Sequence, residues 1–144
     1  MAAVNPYLNF NGNTEEAFNF YKSVFGGDFL VVMRFKDNPE CAQWSEADKE
    51  RIMHIALPIG NGNALMATDS LESLGQKLTQ GNNFYIALSP ESKEEADRLF
   101  NALSAGGKIE MPLQDMFWGA YYGSFTDKFG VQWMINYSQN QPQQ

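Results

Sequence analysis

One side chain in this sequence is of a type whose unperturbed pKa lies near neutrality. It is His54, the single histidine. It lies among Ile52, Met53 and Ile55, and two roles are open to it: a half-buried strand histidine satisfied by a hydrogen bond, or a donor or base facing a cavity. Geometry decides between these before pKa does. Asp69 ends the next apolar stretch and is placed to pair with His54, although aspartate at a strand end also forms turns. His54 and Asp69 are therefore the catalytic candidates. Two carboxylate pairs, Glu15-Glu16 and Glu94-Glu95, each fall in the first turn of an expected helix, where they complement the helix dipole instead of doing acid–base work. Cys41 has Glu40 beside it and no adjacent base, so it reads as a bystander thiol, and as the single cysteine it cannot form an intrachain disulfide. Gly60-Asn61-Gly62 is too short for a phosphate loop and leads into a strand, not a helix.

Large rings are the second chemical resource. Aromatics make up 14% of the chain, more than a core of this size requires. Trp118, Tyr121, Tyr122 and Trp133 crowd the last quarter. Tyr7, His54, Met66, Phe84, Tyr85, Trp118, Tyr122, Trp133 and Met134 are the expected lining of a ring- and thioether-walled cavity. Such a wall suits a flat or apolar ligand, or a cation held against ring faces. Ordinary core and dimer contacts are the competing use of the same residues.

The elements that would position these residues occur twice. Residues 4–10 read as a strand. Asn13 then caps a helix with Glu16 as the partner of a capping box, and Ala17, Phe18, Tyr21, Val24 and Phe25 share a helical face. Gly26-Gly27 stops the helix. Residues 29–35 form a strand. Residues 37–50 are an excursion with one helical turn near Glu46 to Glu50. Strands over 51–59 and 63–69 are joined by Gly60-Asn61-Gly62 as a hairpin turn, and a polar link covers 70–81. The second pass repeats the order: a strand over 84–89, a helix capped by Ser92 with Glu95 as box partner, and Ala96, Leu99, Phe100 and Leu103 as its apolar face. Strands follow near 107–113, 120–126 and 131–137. Glu16 and Glu95, like Gly26 and Gly106, recur at an interval of about 80 positions. The expectation is an α+β chain of two βαβββ modules, about 4–69 and 82–137, in one domain over 1–138, with 139–144 a loose tail. One helix covers one face of each sheet, and the other faces must meet each other or close over a cavity.

With 144 residues, 44% of them hydrophobic, the chain can bury a core. Net charge is −7 and the basic residues are scattered singly, which argues against nucleic acid and against an anionic membrane surface as partners. With no basic, apolar start and no long apolar run, the chain reads as cytoplasmic.

Three stretches carry a resemblance to a known family: Pro6-Tyr7-Leu8-Asn9-Phe10 with Gly12-Asn13 and Ala17 to Tyr21; His54 with Leu65-Met66-Ala67-Thr68-Asp69; and Gly107 to Met111 through Phe117-Trp118-Gly119 to Thr126-Asp127-Lys128-Phe129-Gly130-Val131-Gln132-Trp133. They resemble the PhnB-like branch of the vicinal oxygen chelate superfamily, which includes glyoxalase I, bleomycin-resistance proteins and extradiol dioxygenases. The resemblance implies the paired-module glyoxalase-like fold and a homodimer. It also implies a divalent metal held by His, Glu or Gln on the first and fourth strands of each module. In this sequence those positions fall at Pro6 or Tyr7, near Met66, near Tyr85 and near Met134. Phenol and thioether do not suit a hard cation, so no metal and no other cofactor is expected. Relatives of this branch are sometimes labelled quinone-pathway methyltransferases, but no nucleotide or S-adenosylmethionine motif is present. The leading expectation is a metal-free protein that binds a small molecule. A metal-dependent lyase or dioxygenase using His54, Asp69 or Glu110, and a dimeric protein-interaction module, are the alternatives.

Overall fold

A computed structural model describes residues 2–138. The expected loose tail over 139–144 lies outside the described residues. The chain divides between Thr79 and Gln80 into two compact units.

The first unit runs β1 (Tyr7–Phe10), α1 (Thr14–Phe25), β2 (Val31–Arg34), a single turn α2 (Glu46–Lys49), β3 (Ile52–Gly60) and β4 (Asn63–Asp69). Its sheet has the order β1-β4-β3-β2, with β1 parallel to β4 and the other pairs antiparallel. The second unit repeats the plan with β5 (Ile86–Leu88), α3 (Lys93–Ser104), β6 (Lys108–Asp115), β7 (Tyr121–Thr126) and β8 (Gln132–Tyr137), in the order β5-β8-β7-β6. This is the expected βαβββ plan, twice, with a mixed sheet of four strands each time.

Period decides which residues face the helix. In α1 the buried residues are Thr14, Ala17, Phe18, Tyr21 and Val24, a stripe at helical spacing that packs on β3 and β4. In β4, buried Leu65, Ala67 and Asp69 alternate with half-buried Ala64, Met66 and Thr68, so the first set meets the helix and the second forms the sheet's open face. In the second unit Ala96, Leu99, Phe100 and Leu103 of α3 meet a sheet face that carries Phe125, Trp133 and Ile135.

Several edges differ from the sequence expectation. β1 begins at Tyr7, not residue 4, because Pro6 has no N–H to give a ladder. The pairing continues irregularly: the Pro6 carbonyl accepts the Met66 amide, and Asn5 Oδ1 accepts the Ala64 amide at 2.9 Å. Asn13 makes no side-chain cap on α1, so the expected box with Glu16 does not form. The Asp69 carboxylate takes its place. At α3 the expected cap does form. Ser92 Oγ accepts the Glu95 amide, and Glu95 reaches back to the amide of Glu91, one residue before the cap. The 37–50 excursion is two short 3₁₀ turns and α2, with the Phe35 and Trp44 rings 5.1 Å apart and Cys41 buried. β6 is a sheet edge, exposed along nearly its whole length, and tolerates Pro112 for that reason. Among the described residues no helix is long and apolar enough to cross a membrane.

Candidate functional site

The open face of the first sheet carries the candidate polar group. Tyr7 lies opposite Met66 in the β1–β4 register, and His54 lies opposite Met33 in the β2–β3 register. The Tyr7 hydroxyl and His54 Nδ1 are 3.1 Å apart, and the two rings stack at 5.7 Å and 15°. Either the phenol donates to an unprotonated Nδ1, or a protonated Nδ1 donates to the phenol oxygen. Both arrangements leave Nε2 for a ligand. Partial burial pushes the Tyr7 phenol above its usual pKa, so it stays a neutral hydroxyl at physiological pH. His54 is thus both a satisfied strand histidine and a group with one nitrogen to spend.

Asp69 is not its partner. It closes β4 on the helix side of the sheet, is buried, and spends both oxygens on other groups. Oδ1 accepts the Thr14 amide at 3.0 Å and the Thr14 hydroxyl at 2.6 Å, while Oδ2 accepts the Ile52 amide at 2.8 Å. It is the missing cap of α1, which corrects the expected pairing with His54. A strand-end aspartate and a helix-start threonine distant in sequence gave no local signal of this bond.

The second sheet brings a different set together. The Tyr85 hydroxyl donates to Glu110 Oε1 at 2.9 Å. That bond holds the phenol above its usual pKa, with smaller contributions from desolvation and from the charge of Glu110 and the nearby Tyr122. Tyr122 and Trp118 pack edge to face at 6.4 Å, and Trp118 and Phe117 do the same at 5.0 Å. Phe84, Tyr85 and Trp118 are exposed and Tyr122 is half-buried. Phe84 and Tyr85 lie just ahead of β5, not inside a strand over 84–89. β5 pairs Ala87, not Tyr85, with Met134, because Ile86 and Leu88 align with Trp133 and Ile135 on the helix side. Trp133 is fully buried, with its indole N–H on Asp127 Oδ2 at 2.8 Å, which places it among the core residues of its unit. Glu110 and Phe117 were absent from the expected lining. The sequence singled out Glu110 only as a possible metal ligand, because its partner Tyr85 lies across the whole sheet.

The register thus sets Tyr7 beside Met66 in one sheet and Ala87, in place of the expected Tyr85, beside Met134 in the other. Two thioethers, a neutral phenol and a methyl group do not fit a hard divalent cation. Among the described residues no three His, Cys, Asp or Glu side chains gather as a metal-holding group.

Two mixed four-stranded sheets in βαβββ order, each with one helix on one face, define a glyoxalase-type protein. The profile of the Glyoxalase/Bleomycin resistance protein/Dioxygenase superfamily matches residues 3–135, and the chain belongs to that superfamily. Within it the chain is PhnB-like. It is 36% identical to the protein YjdN of Escherichia coli K12 over 149 residues, covering 98% of this chain and 99% of the relative. Protein PA1353 from Pseudomonas aeruginosa is 43% identical, with a TM-score of 0.83 over 97% of this chain and 100% of the other. The PhnB protein from Bacillus cereus is 27% identical, with a TM-score of 0.75 over 95% of this chain and 100% of the other.

Proposed function

We propose that this protein binds a small organic molecule on the ring- and thioether-bearing open faces of its sheets, without the divalent metal of its superfamily. The observation that supports this most is the Tyr7–Met66 register pair, with Met134 in the corresponding strand of the second unit. These groups offer polarisable surface where relatives of this fold place hard ligands. His54, braced by Tyr7, supplies one directional hydrogen bond to the bound molecule through Nε2. Sequestration accounts for these groups without a chemical step, and no reaction is assigned. The exposed edge residues Leu30, Val31 and Val32, with Ile109 and Met111, favour a homodimer.

Two measurements test this. Elemental mass spectrometry on protein purified without an affinity tag or chelators should find far less than one transition metal per chain, also after exposure to Ni²⁺, Zn²⁺, Mn²⁺ or Fe²⁺. A stoichiometric metal overturns the metal-free reading. Methyl NMR during titration with flat aromatic fragments should move the Met66 and Met134 methyl signals and the His54 ring signals. If these stay still while other surface methyls move, the proposed faces are wrong.

A further inference from the structure

We propose that a polar cleft at one end of the first unit binds a small zwitterion of the α-amino acid type, its carboxylate on Arg51 and its ammonium beside Asp48 and Glu72. The cleft is separate from the open-face group and shares no residue with Tyr7, His54 and Met66. It lies where β1 and β4 end and β3 begins. Asn11 and Gly12 follow β1, Ser70 to Ser73 follow β4, Asp48 comes from α2, and Arg51 stands just before β3. Its volume of about 250 Å³ is small for a drug-sized ligand and ample for a free amino acid. Backbone contacts hold the guanidinium in place. Arg51 Nη1 donates to the Gly12 carbonyl, the Arg51 amide donates to the Asp48 carbonyl at 3.1 Å, and the Arg51 carbonyl accepts the Phe35 amide at 3.1 Å. Gly12, at φ +89°, permits this approach, because a Cβ there would come within 2.9 Å of Arg51 Cζ.

Charge singles out the ligand class. Among the described residues Arg51, Asp48 and Glu72 have no ion-pair partner, although all three line the one cleft. The two acids are bonded to neutral donors instead. Asp48 Oδ2 accepts the Ser73 hydroxyl at 2.6 Å, and Glu72 Oε1 accepts the Asn11 side-chain amide at 3.4 Å. Each keeps its second oxygen, and Arg51 keeps most of its fork of N–H donors. A simple anion would meet the guanidinium together with two carboxylates. A simple cation would meet the carboxylates together with the guanidinium. A molecule that carries both charges close together satisfies both sets: its carboxylate takes the planar fork two-pronged, and its ammonium meets the acids. A hard metal ion would find two carboxylates, both already engaged, beside a fixed positive charge.

The test uses the full chain labelled with ¹⁵N and follows the Gly12 amide and the Arg51 Nε–H signals. L-Serine and L-asparagine are the probes. N-Acetyl-L-serine lacks the ammonium, and L-serinamide lacks the carboxylate. Both amino acids should shift the two signals saturably and leave the Tyr7 and His54 amides still, and each blocked serine should bind about tenfold more weakly. Arg51→Lys, which keeps the charge and loses the fork, should weaken L-serine by about tenfold. Asp48→Asn combined with Glu72→Gln keeps acceptors for Ser73 and Asn11 and removes both negative charges. That variant should bind N-acetyl-L-serine more tightly than L-serine, the reverse of the parent. Equal binding of L-serine and its two blocked forms, still signals with both amino acids, or an unreversed order in the double variant overturns the zwitterion site. The open-face reading is tested separately, by the Met66 and Met134 methyl signals.

Discussion

Asp69, the last residue of β4, holds the amino end of a helix that starts 55 residues earlier, through both the amide and the hydroxyl of Thr14. The same carboxylate accepts the Ile52 amide, so one buried side chain ties β4, β3 and α1 together. Asp69→Asn keeps one acceptor and sets an amide donor against another N–H. It should cost about 2 kcal/mol, and Asp69→Ala about 3 kcal/mol, measured by urea unfolding. Thr14→Val removes one hydroxyl bond and should cost about 1 kcal/mol. If Asp69→Asn is as stable as the parent, the carboxylate is not a structural tie and its exclusion from the site is wrong.

Asp127 does comparable work in the second unit. Its Oδ1 accepts the amides of Phe129 and Val131, closing the β7–β8 turn, while Oδ2 takes the Trp133 indole. Asp127→Ala removes an ionised acceptor from three donors at once and should cost about 3 kcal/mol. Trp133→Phe keeps most of the ring and loses one charge-assisted bond, so about 2 kcal/mol is expected. Thermal unfolding followed by near-UV circular dichroism checks both.

These two aspartates also mark how far the sequence can be read. Helical stripes such as Ala17, Phe18, Tyr21 and Val24, and the recurrence of Glu-Glu and Gly-Gly, expose the two modules because they are periodic and local. The Ser92–Glu95 cap is local too, and forms. The Asn13 cap does not, because a distant carboxylate outcompetes a local amide for the helix start, and no local pattern records that. The site is legible in the same uneven way. His54, Tyr7 and Met66 are visible by type and strand position. The Tyr85–Glu110 bond crosses a whole sheet, and the Ala87–Met134 register depends on which alternate residues β5 buries, so neither follows from spacing.

Gly123 lies in β7 beneath Phe100 of α3, where the β6–β7 register shifts between Met111 and Gln114. A Cβ there would come within 2.8 Å of the Phe100 ring, 2.9 Å of the Leu113 nitrogen and 3.0 Å of the Met111 oxygen. Two of these are backbone atoms of the neighbouring strand and cannot move without opening the ladder. Gly123→Ala should therefore destabilise by about 1–3 kcal/mol. Pairing it with Phe100→Leu, which relieves only the ring contact, should recover a minor part, as a urea double-mutant cycle would show.

Glu15 and Arg34 form a two-pronged ion pair at 2.6 and 3.1 Å across the first unit. The hydrogen bond from Arg34 holds the Glu15 carboxyl below its usual 4.5, and the Arg34 charge acts in the same direction. A depressed folded pKa means the contribution is present above the unfolded value and is lost as pH falls through the folded one. Glu15 is half-exposed, so screening limits the pair to about 0.5 kcal/mol. The stability gap between the parent and Glu15→Gln should be near that size at neutral pH. It should close in acid and shrink in high salt.

Tyr121 gives the opposite sign at the other end of the pH scale. Its hydroxyl donates to Asp97 at 2.6 Å, and that bond, ahead of desolvation, pushes the phenol up to about 12. The folded pKa lies above the usual 10.0, so the bond contributes fully below the unfolded value and is lost as pH rises through the folded one. Phenolate absorbance should include a step near pH 12. Tyr121→Phe should remove that step, and Asp97→Asn should move it down by removing the charge while keeping an acceptor. If the absorbance near pH 12 is the same in parent and Tyr121→Phe, Asp97 does not hold the Tyr121 proton.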